Sequence, residues 1–211
     1  MKMKNFTSIL AVIILIGCGK SNNNDEIKYY DVERSDNAMD QQAYFINDAN
    51  NHQLAKLQFK PDQNIWEISK GDEFWYGEIK SDKRKFYDKS GEVYAEIKFK
   101  DEGFKLRNPE GELIWKVKIS AEKIKISDNE EMTNAFEIKK KSEYFANLNR
   151  NEKAMGSIEL SPQNNPAVIK NDDHTYYLTG QENSVGAAVL LIDEIQPVHQ
   201  LMILAQLIEA H

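Results

Sequence analysis

The sequence predicts a mainly β protein: a closed antiparallel barrel of about twelve strands with a hydrophobic C-terminal helix threaded through it. Three observations lead there. From Ala55 to Leu178 the chain runs as short segments of alternating apolar and polar residues, separated by turn residues. So many consecutive strands would leave sheet edges exposed unless the sheet closed. After Ser184 the pattern changes to two nearly continuous apolar stretches, and a helix apolar on every side has to be buried. With 211 residues, 41% of them hydrophobic, the chain can build a core.

The N-terminus reads as an address rather than as part of the fold. Lys2 and Lys4 precede the unbroken apolar run Ile9–Ile16, which is too short for a membrane span of about 20 residues. The run Leu15-Ile16-Gly17-Cys18 resembles the bacterial lipobox. That resemblance implies cleavage after residue 17 and acylation of Cys18, the only cysteine. Residues 18–30 follow as a polar tether, with Gly19-Lys20-Ser21-Asn22-Asn23-Asn24-Asp25-Glu26 small and hydrophilic. The single barrel domain is then expected over 31–211, with 184–210 as its central helix. Gly19, not Asp, follows the cysteine, which resembles the pattern sent to the outer membrane of diderm bacteria. The expected location is lipid-anchored in the cell envelope, at the outer membrane if the host is diderm.

Residues 27–53 are ambiguous, and Tyr44-Phe45-Ile46 fits a strand or a short helical patch. From there the strands follow in order: 54–59, 65–68, 74–79 and 85–87. The clearest is 92–100, where Val93, Ala95, Ile97 and Phe99 share one face. Residues 88–107 and 108–127 align at an offset of twenty without a gap. Gly91 meets Gly111, Glu92 meets Glu112 and Ile97 meets Val117, so each unit reads as turn, long strand, turn, short strand. No third copy is as clear. In the second unit Leu113, Trp115, Val117 and Ile119 face inward, and Ile114 breaks the alternation. Further strands are expected at 135–138, 144–148, 154–160, 167–169 and 175–178.

In the C-terminal segment Ser184 is a plausible N-cap, and Pro197 suits the first turn of the second apolar stretch. Asp193, Glu194 and Pro197 fall at the midpoint. An ionised carboxylate costs about 2.5–3.5 kcal/mol in mid-membrane. Burial within protein, with the acids at a bend near water, is therefore favoured over a bilayer span.

The formal charge is −7, from 27 basic and 34 acidic side chains, which argues against nucleic acid as a partner. One cysteine excludes an intramolecular disulfide. No P-loop, dinucleotide fingerprint, HExxH, CxxC or GxSxG motif occurs, so no cofactor, metal or catalytic residue is assigned. Asp172-Asp173-His174 is the one local set with metal or proton-transfer chemistry, and a polar turn is the favoured account of it. His199, just inside a helix start, reads as a core or interfacial histidine. Trp115 reads as core, and one of the neighbours Trp75 and Tyr76 has to face outward.

A long meander followed by a greasy helix resembles the tubby C-terminal-like superfamily, which includes the LURP-one-related proteins and the phospholipid scramblases. The features that carry this are meander units such as Ser90-Gly91-Glu92-Val93-Tyr94-Ala95-Glu96-Ile97 and the tail Ala187-Ala188-Val189-Leu190-Leu191-Ile192-Asp193-Glu194-Ile195, over about residues 54–208. The resemblance implies a closed twelve-stranded barrel around a hydrophobic helix. In tubby domains it implies phosphoinositide binding through a basic surface, and in scramblases calcium-dependent handling of lipids. Residue by residue little of this carries over: the densest basic cluster is Lys80, Lys83, Arg84 and Lys85, interrupted by Asp82 and Asp88, and a solvated strand end or hairpin tip is the favoured account of it. The expected function is a membrane-anchored, non-enzymatic barrel that binds an anionic lipid head group or an envelope protein. The alternatives are a scramblase-like lipid-handling factor and an envelope hydrolase with an unrecognised site.

Overall fold

A computed structural model describes residues 42–161, 166–180 and 184–210. Its alternating segments pair as seven successive hairpins among those residues. They are β1 (Gln42–Asp48) with β2 (Gln53–Lys60), β3 (Ile65–Lys70) with β4 (Glu73–Lys80), and β5 (Lys83–Asp88) with β6 (Val93–Lys100). Next come β7 (Gly103–Arg107) with β8 (Leu113–Ile119) and β9 (Lys123–Ser127) with β10 (Phe136–Ser142). The last are β11 (Phe145–Arg150) with β12 (Lys153–Glu159) and β13 (Ala167–Lys170) with β14 (Thr175–Thr179). Every strand is antiparallel to its sequence neighbours. β1 also pairs with β14, Phe45 opposite Thr179 and Asp48 opposite Tyr176, so the sheet closes and no edge is left.

The closed antiparallel barrel is as expected, but it has fourteen strands and not twelve. This also departs from the twelve-stranded pattern of the resemblance. Each of the thirteen segments read as strands pairs in the sheet. The fourteenth is β1, which contains the ambiguous Tyr44-Phe45-Ile46. Its strand character is conferred by β2 and by β14, a partner distant in sequence, which a local pattern does not encode. The expected leader, Cys18 and the tether lie outside the described residues.

The turn of the twenty-residue repeat recurs beyond its two copies. In four hairpins an Asp or Asn opens the turn, its carbonyl accepting from the third residue on: Asp48 from Asn51, Asp88 from Gly91, Asn108 from Gly111 and Asn129 from Met132. In each, the side-chain oxygen of the same residue accepts from the backbone N–H four residues on, at 2.7–3.2 Å. The fourth residue is left-handed in all four, with φ of 64°, 84°, 87° and 59°. Two of the four are glycines, which adopt that conformation without steric cost. Two or three residues beyond three of these turns comes a β-bulge, at Leu54, Tyr94 and Ile114, and another falls at Met155. A bulge shifts a residue out of the ladder and re-aims it. This accounts for the break in alternation at Ile114, which packs against the core.

The C-terminal segment is helical in two pieces. Ser184 caps a 3-10 helix, Val185–Leu191, its Oγ accepting from Gly186 N at 3.1 Å. After a break at Ile192–Gln196, α1 spans Pro197–Glu209 with Pro197 in its first turn. Asp193 and Glu194 are exposed in the break, whereas Val198–Ile208 are buried throughout. Gln200 Nε2 donates to Ile192 O at 2.9 Å, a carbonyl that also accepts from Ile195 N at 3.0 Å, and so ties α1 to the break. The buried strand faces, the 3-10 helix and α1 belong to one hydrophobic cluster. Among the described residues no helix is long and apolar enough to cross a membrane.

Candidate anion-binding surface

On a strand, alternate residues share a face, and directly opposed residues on neighbouring strands stand side by side. Tracing those pairs across five strands brings together Lys80 of β4, Lys83 of β5, Lys98 of β6, Lys105 of β7 and Lys116 of β8. Lys80 is opposite Lys83, Lys83 opposite Lys98, Lys98 opposite Lys105, and Lys105 opposite Lys116. Like charges directly opposed are destabilising, by about 0.2–1 kcal/mol on the scale of cross-strand pairs. The next row shows the ordinary arrangement: Glu78, Lys85, Glu96 and Arg107 alternate in sign across β4–β7. The row ends at Lys116, which faces Ser127; two further lysine pairs lie beyond it, Lys118 opposite Lys125 and Lys123 opposite Lys139, with Glu137 on the far side of Lys125. Residues 80–141 hold 16 Lys and Arg against 13 Asp and Glu, a formal +3 inside a chain of −7. The charge is thus segregated onto this wall.

Acids from outside the row offset the repulsion. Lys80 pairs with Glu78 at 3.0 Å, Lys83 with Glu96 at 2.7 Å and Lys98 with Asp82 at 3.8 Å. Glu130 takes Lys105 at 2.5 Å and Lys116 at 3.2 Å, with Arg107 at 3.7 Å. Hydrogen bonds from Lys105, then Lys116, hold the Glu130 carboxyl below its ordinary pKa. Glu137 receives Lys125 and Lys139 at 2.8 Å each, and those bonds lower its pKa to about 2. Lys98 nevertheless keeps 45% of its side chain exposed. A shallow recess of about 370 Å³ lies on the same wall, lined by Glu102, Lys118, Ile119, Ser120, Lys123 and Lys125.

The predicted cluster Lys80, Lys83, Arg84 and Lys85 is divided by the strand. Lys83 and Lys85 lie on the outer face, Lys80 joins them across the turn, and Arg84 is fully buried. Its guanidinium forks onto Glu209 near the end of α1, at 2.5 and 3.3 Å, and also donates to Gln206 Oε1 at 2.9 Å and Asn64 Oδ1 at 3.0 Å. Trp66 Nε1 donates to the same Glu209 carboxylate at 2.8 Å. Arg84 therefore ties α1 to the barrel wall. Lys98, Lys105, Lys116 and Glu130 were not singled out from the sequence. The short Ser81-Asp82 and Asp101-Glu102 turns contain the register that aligns them, because a hairpin's turn sets which residues face each other.

Asp172, Asp173 and His174 form a polar turn between β13 and β14, where Asn171 Oδ1 accepts from Asp173 N and His174 N. His174 Nε2 lies 3.9 Å from Asp193 Oδ1, and its ring stacks on Tyr176 at 5.8 Å. His52 bonds Asp48 within its own hairpin at 3.2 Å. Glu194, beside Asp193, pairs with Arg150 at 2.7 Å. Among the described residues no group of three or more His, Cys, Asp or Glu is placed to hold a metal ion. His199 is buried with Nδ1 unpartnered, and burial lowers its pKa. Compared with family models, curated proteins and solved structures, the chain matches none.

Proposed function

We propose that this chain is a membrane-tethered, non-enzymatic barrel whose lysine wall docks on the anionic head groups of a lipid surface. The observation that carries the reading is the unbroken cross-strand row Lys80–Lys83–Lys98–Lys105–Lys116. A row of opposed like charges costs stability, and the complementary row beside it shows that the same sheet can avoid that cost. Each lysine near an anionic bilayer contributes about 1 kcal/mol, so an anionic surface facing the row adds to what the flanking acids already offset. The outer wall is charged, which suits an aqueous face against head groups rather than hydrocarbon.

The remaining parts of the reading have separate support. The lipobox-like Leu15-Ile16-Gly17-Cys18 supplies an acylated anchor, which would hold the wall within reach of the membrane. The tubby-like resemblance adds a lipid-binding precedent on a barrel. In this reading α1 fills the barrel lumen, supported by its burial from Val198 to Ile208 and by the Arg84–Glu209 tie. A lumen of this strand number is too wide for wall side chains alone to fill.

The test is flotation of the soluble form from Ser21 onward with vesicles of a zwitterionic lipid alone or mixed with an anionic phospholipid. Binding to the anionic vesicles only, falling as salt is raised, is the expected result. Equal flotation with both compositions, or with neither, would overturn it.

A further inference from the structure

The Glu130 contacts define something more specific than a neutralising surface ion pair. One carboxylate, from the segment 128–135 between β9 and β10, collects Lys105, Arg107 and Lys116 at 2.5, 3.7 and 3.2 Å. The Glu130 backbone carbonyl also accepts from Lys116 Nζ. The two lysines are mostly covered, 17% and 18% exposed, while the carboxylate that they hold is 44% exposed. The cations are thus fixed by the rigid sheet, and the anion is presented from a turn. That turn keeps two non-glycine residues left-handed, Met132 and Asn134 at φ 59° and 52°. Such conformations cost energy and persist where surrounding bonds hold them. Here Asn129 and Ser127 provide those bonds, Asn129 Oδ1 accepting from Thr133 N at 2.9 Å and Ser127 Oγ donating to Thr133 O at 3.2 Å.

We infer that Lys105, Arg107 and Lys116 form an anion seat for a phosphate group, and that Glu130 is its built-in competing ligand. The inference rests on the reading of the wall as an anionic docking face and names the point on it where one phosphate is gripped. Two ammonium groups and one guanidinium nitrogen converging on one centre match a tetrahedral oxyanion; Arg107 Nη1 donates to Gly111 O, which fixes the side chain with Nη2 toward the seat. A phosphate has more acceptor oxygens than the carboxylate, so it competes for the seat by displacing the half-exposed Glu130 side chain. The same chemistry is carried by a phospholipid head group and by free phosphate.

The experiment uses the full chain in neutral detergent micelles. One arm titrates inorganic phosphate, and the other adds an anionic phospholipid to the micelles; both are followed by ¹⁵N-lysine NMR and calorimetry. Glu130→Gln removes the competitor and is expected to raise affinity about fivefold, the factor that the strength of a half-exposed ion pair converts to. Glu102→Gln removes the same charge beside Lys118 and is expected to change affinity less than twofold. Lys105→Ala added to Glu130→Gln should abolish the gain. In the unsubstituted chain, phosphate should shift the Lys105 and Lys116 resonances, a readout that needs no variant to fold. Equal gains from Glu130→Gln and Glu102→Gln would reduce the effect to net charge and overturn the seat. No phosphate-induced shift in any form would overturn it too. If Lys98→Glu abolishes capture by anionic lipid while Glu130→Gln matches the unsubstituted chain, the wall stands and the seat falls. If phosphate binds the seat but no form responds to anionic lipid, the seat stands for free phosphate and the lipid reading falls.

Discussion

Replacing Arg84 by alanine tests how α1 is held. The side chain is fully buried and makes two bonds to Glu209, one to Gln206 and one to Asn64. Removing one partner of a fully buried ion pair costs about 3–5 kcal/mol, because the other charge is left unpaired. Glu209 keeps 27% of its side chain exposed, so water recovers part of that cost and the expected loss is about 2–4 kcal/mol. In urea the midpoint should fall by about 1–2 M at an unchanged slope. For a domain of this size the thermal midpoint should fall by about 5–15 °C. Trp66 is a local reporter, since its indole N–H donates to the same carboxylate, and its emission should change before the cooperative transition. Arg84→Met combined with Glu209→Leu removes both charges and should recover most of the loss. A loss below about 1 kcal/mol for Arg84→Ala, or a double variant no better than the single one, would refute the claim that this pair fastens the helix to the wall.

Lys98→Glu should act oppositely on stability and on binding. It turns two like-charged pairs, with Lys83 and Lys105, into opposite-charged ones at the expense of Asp82, and should add about 0.5 kcal/mol in urea titration. Flotation with anionic vesicles should fall about tenfold or more. Acid should weaken the fold through His199. Burial lowers its folded pKa from 6.5, so the unfolded chain takes up a proton first, and stability present above that pH is lost as pH falls below it. His199→Gln should flatten that part of the pH profile of urea midpoints. Gly111→Ala should cost about 1 kcal/mol from backbone strain alone, because φ is +87° and the space for a methyl group is open. Gly111→Asn should cost less when melted alongside it.

Much of the fold was legible because strand periodicity is local. Val93, Ala95, Ile97 and Phe99 name their own face, and Asn108-Pro109-Glu110-Gly111 names its own turn. The capped start at Ser184 and the break around Asp193, Glu194 and Pro197 were readable for the same reason. The repeat was visible only where both copies kept glycine. At Asn51 and Met132 the left-handed turn is kept with other residues, and sequence alignment loses it although the backbone does not. Among the candidate residues, Lys80, Lys83, Arg84 and Lys85 were found as one cluster. Their separation into an outer wall and a buried tie needed the strand phase.

By itself, the sequence determined that short paired strands precede a buried apolar tail, since burial and turns are properties of a few adjacent residues. The tertiary structure alone decided that β1 closes a ring of fourteen, that Arg84 meets Glu209, and that Lys98 stands beside Lys105 and Glu130 beside Lys116. Those outcomes depend on register and closure. A shift of one residue between strands would place every side chain on the opposite face without changing the alternation that the sequence shows.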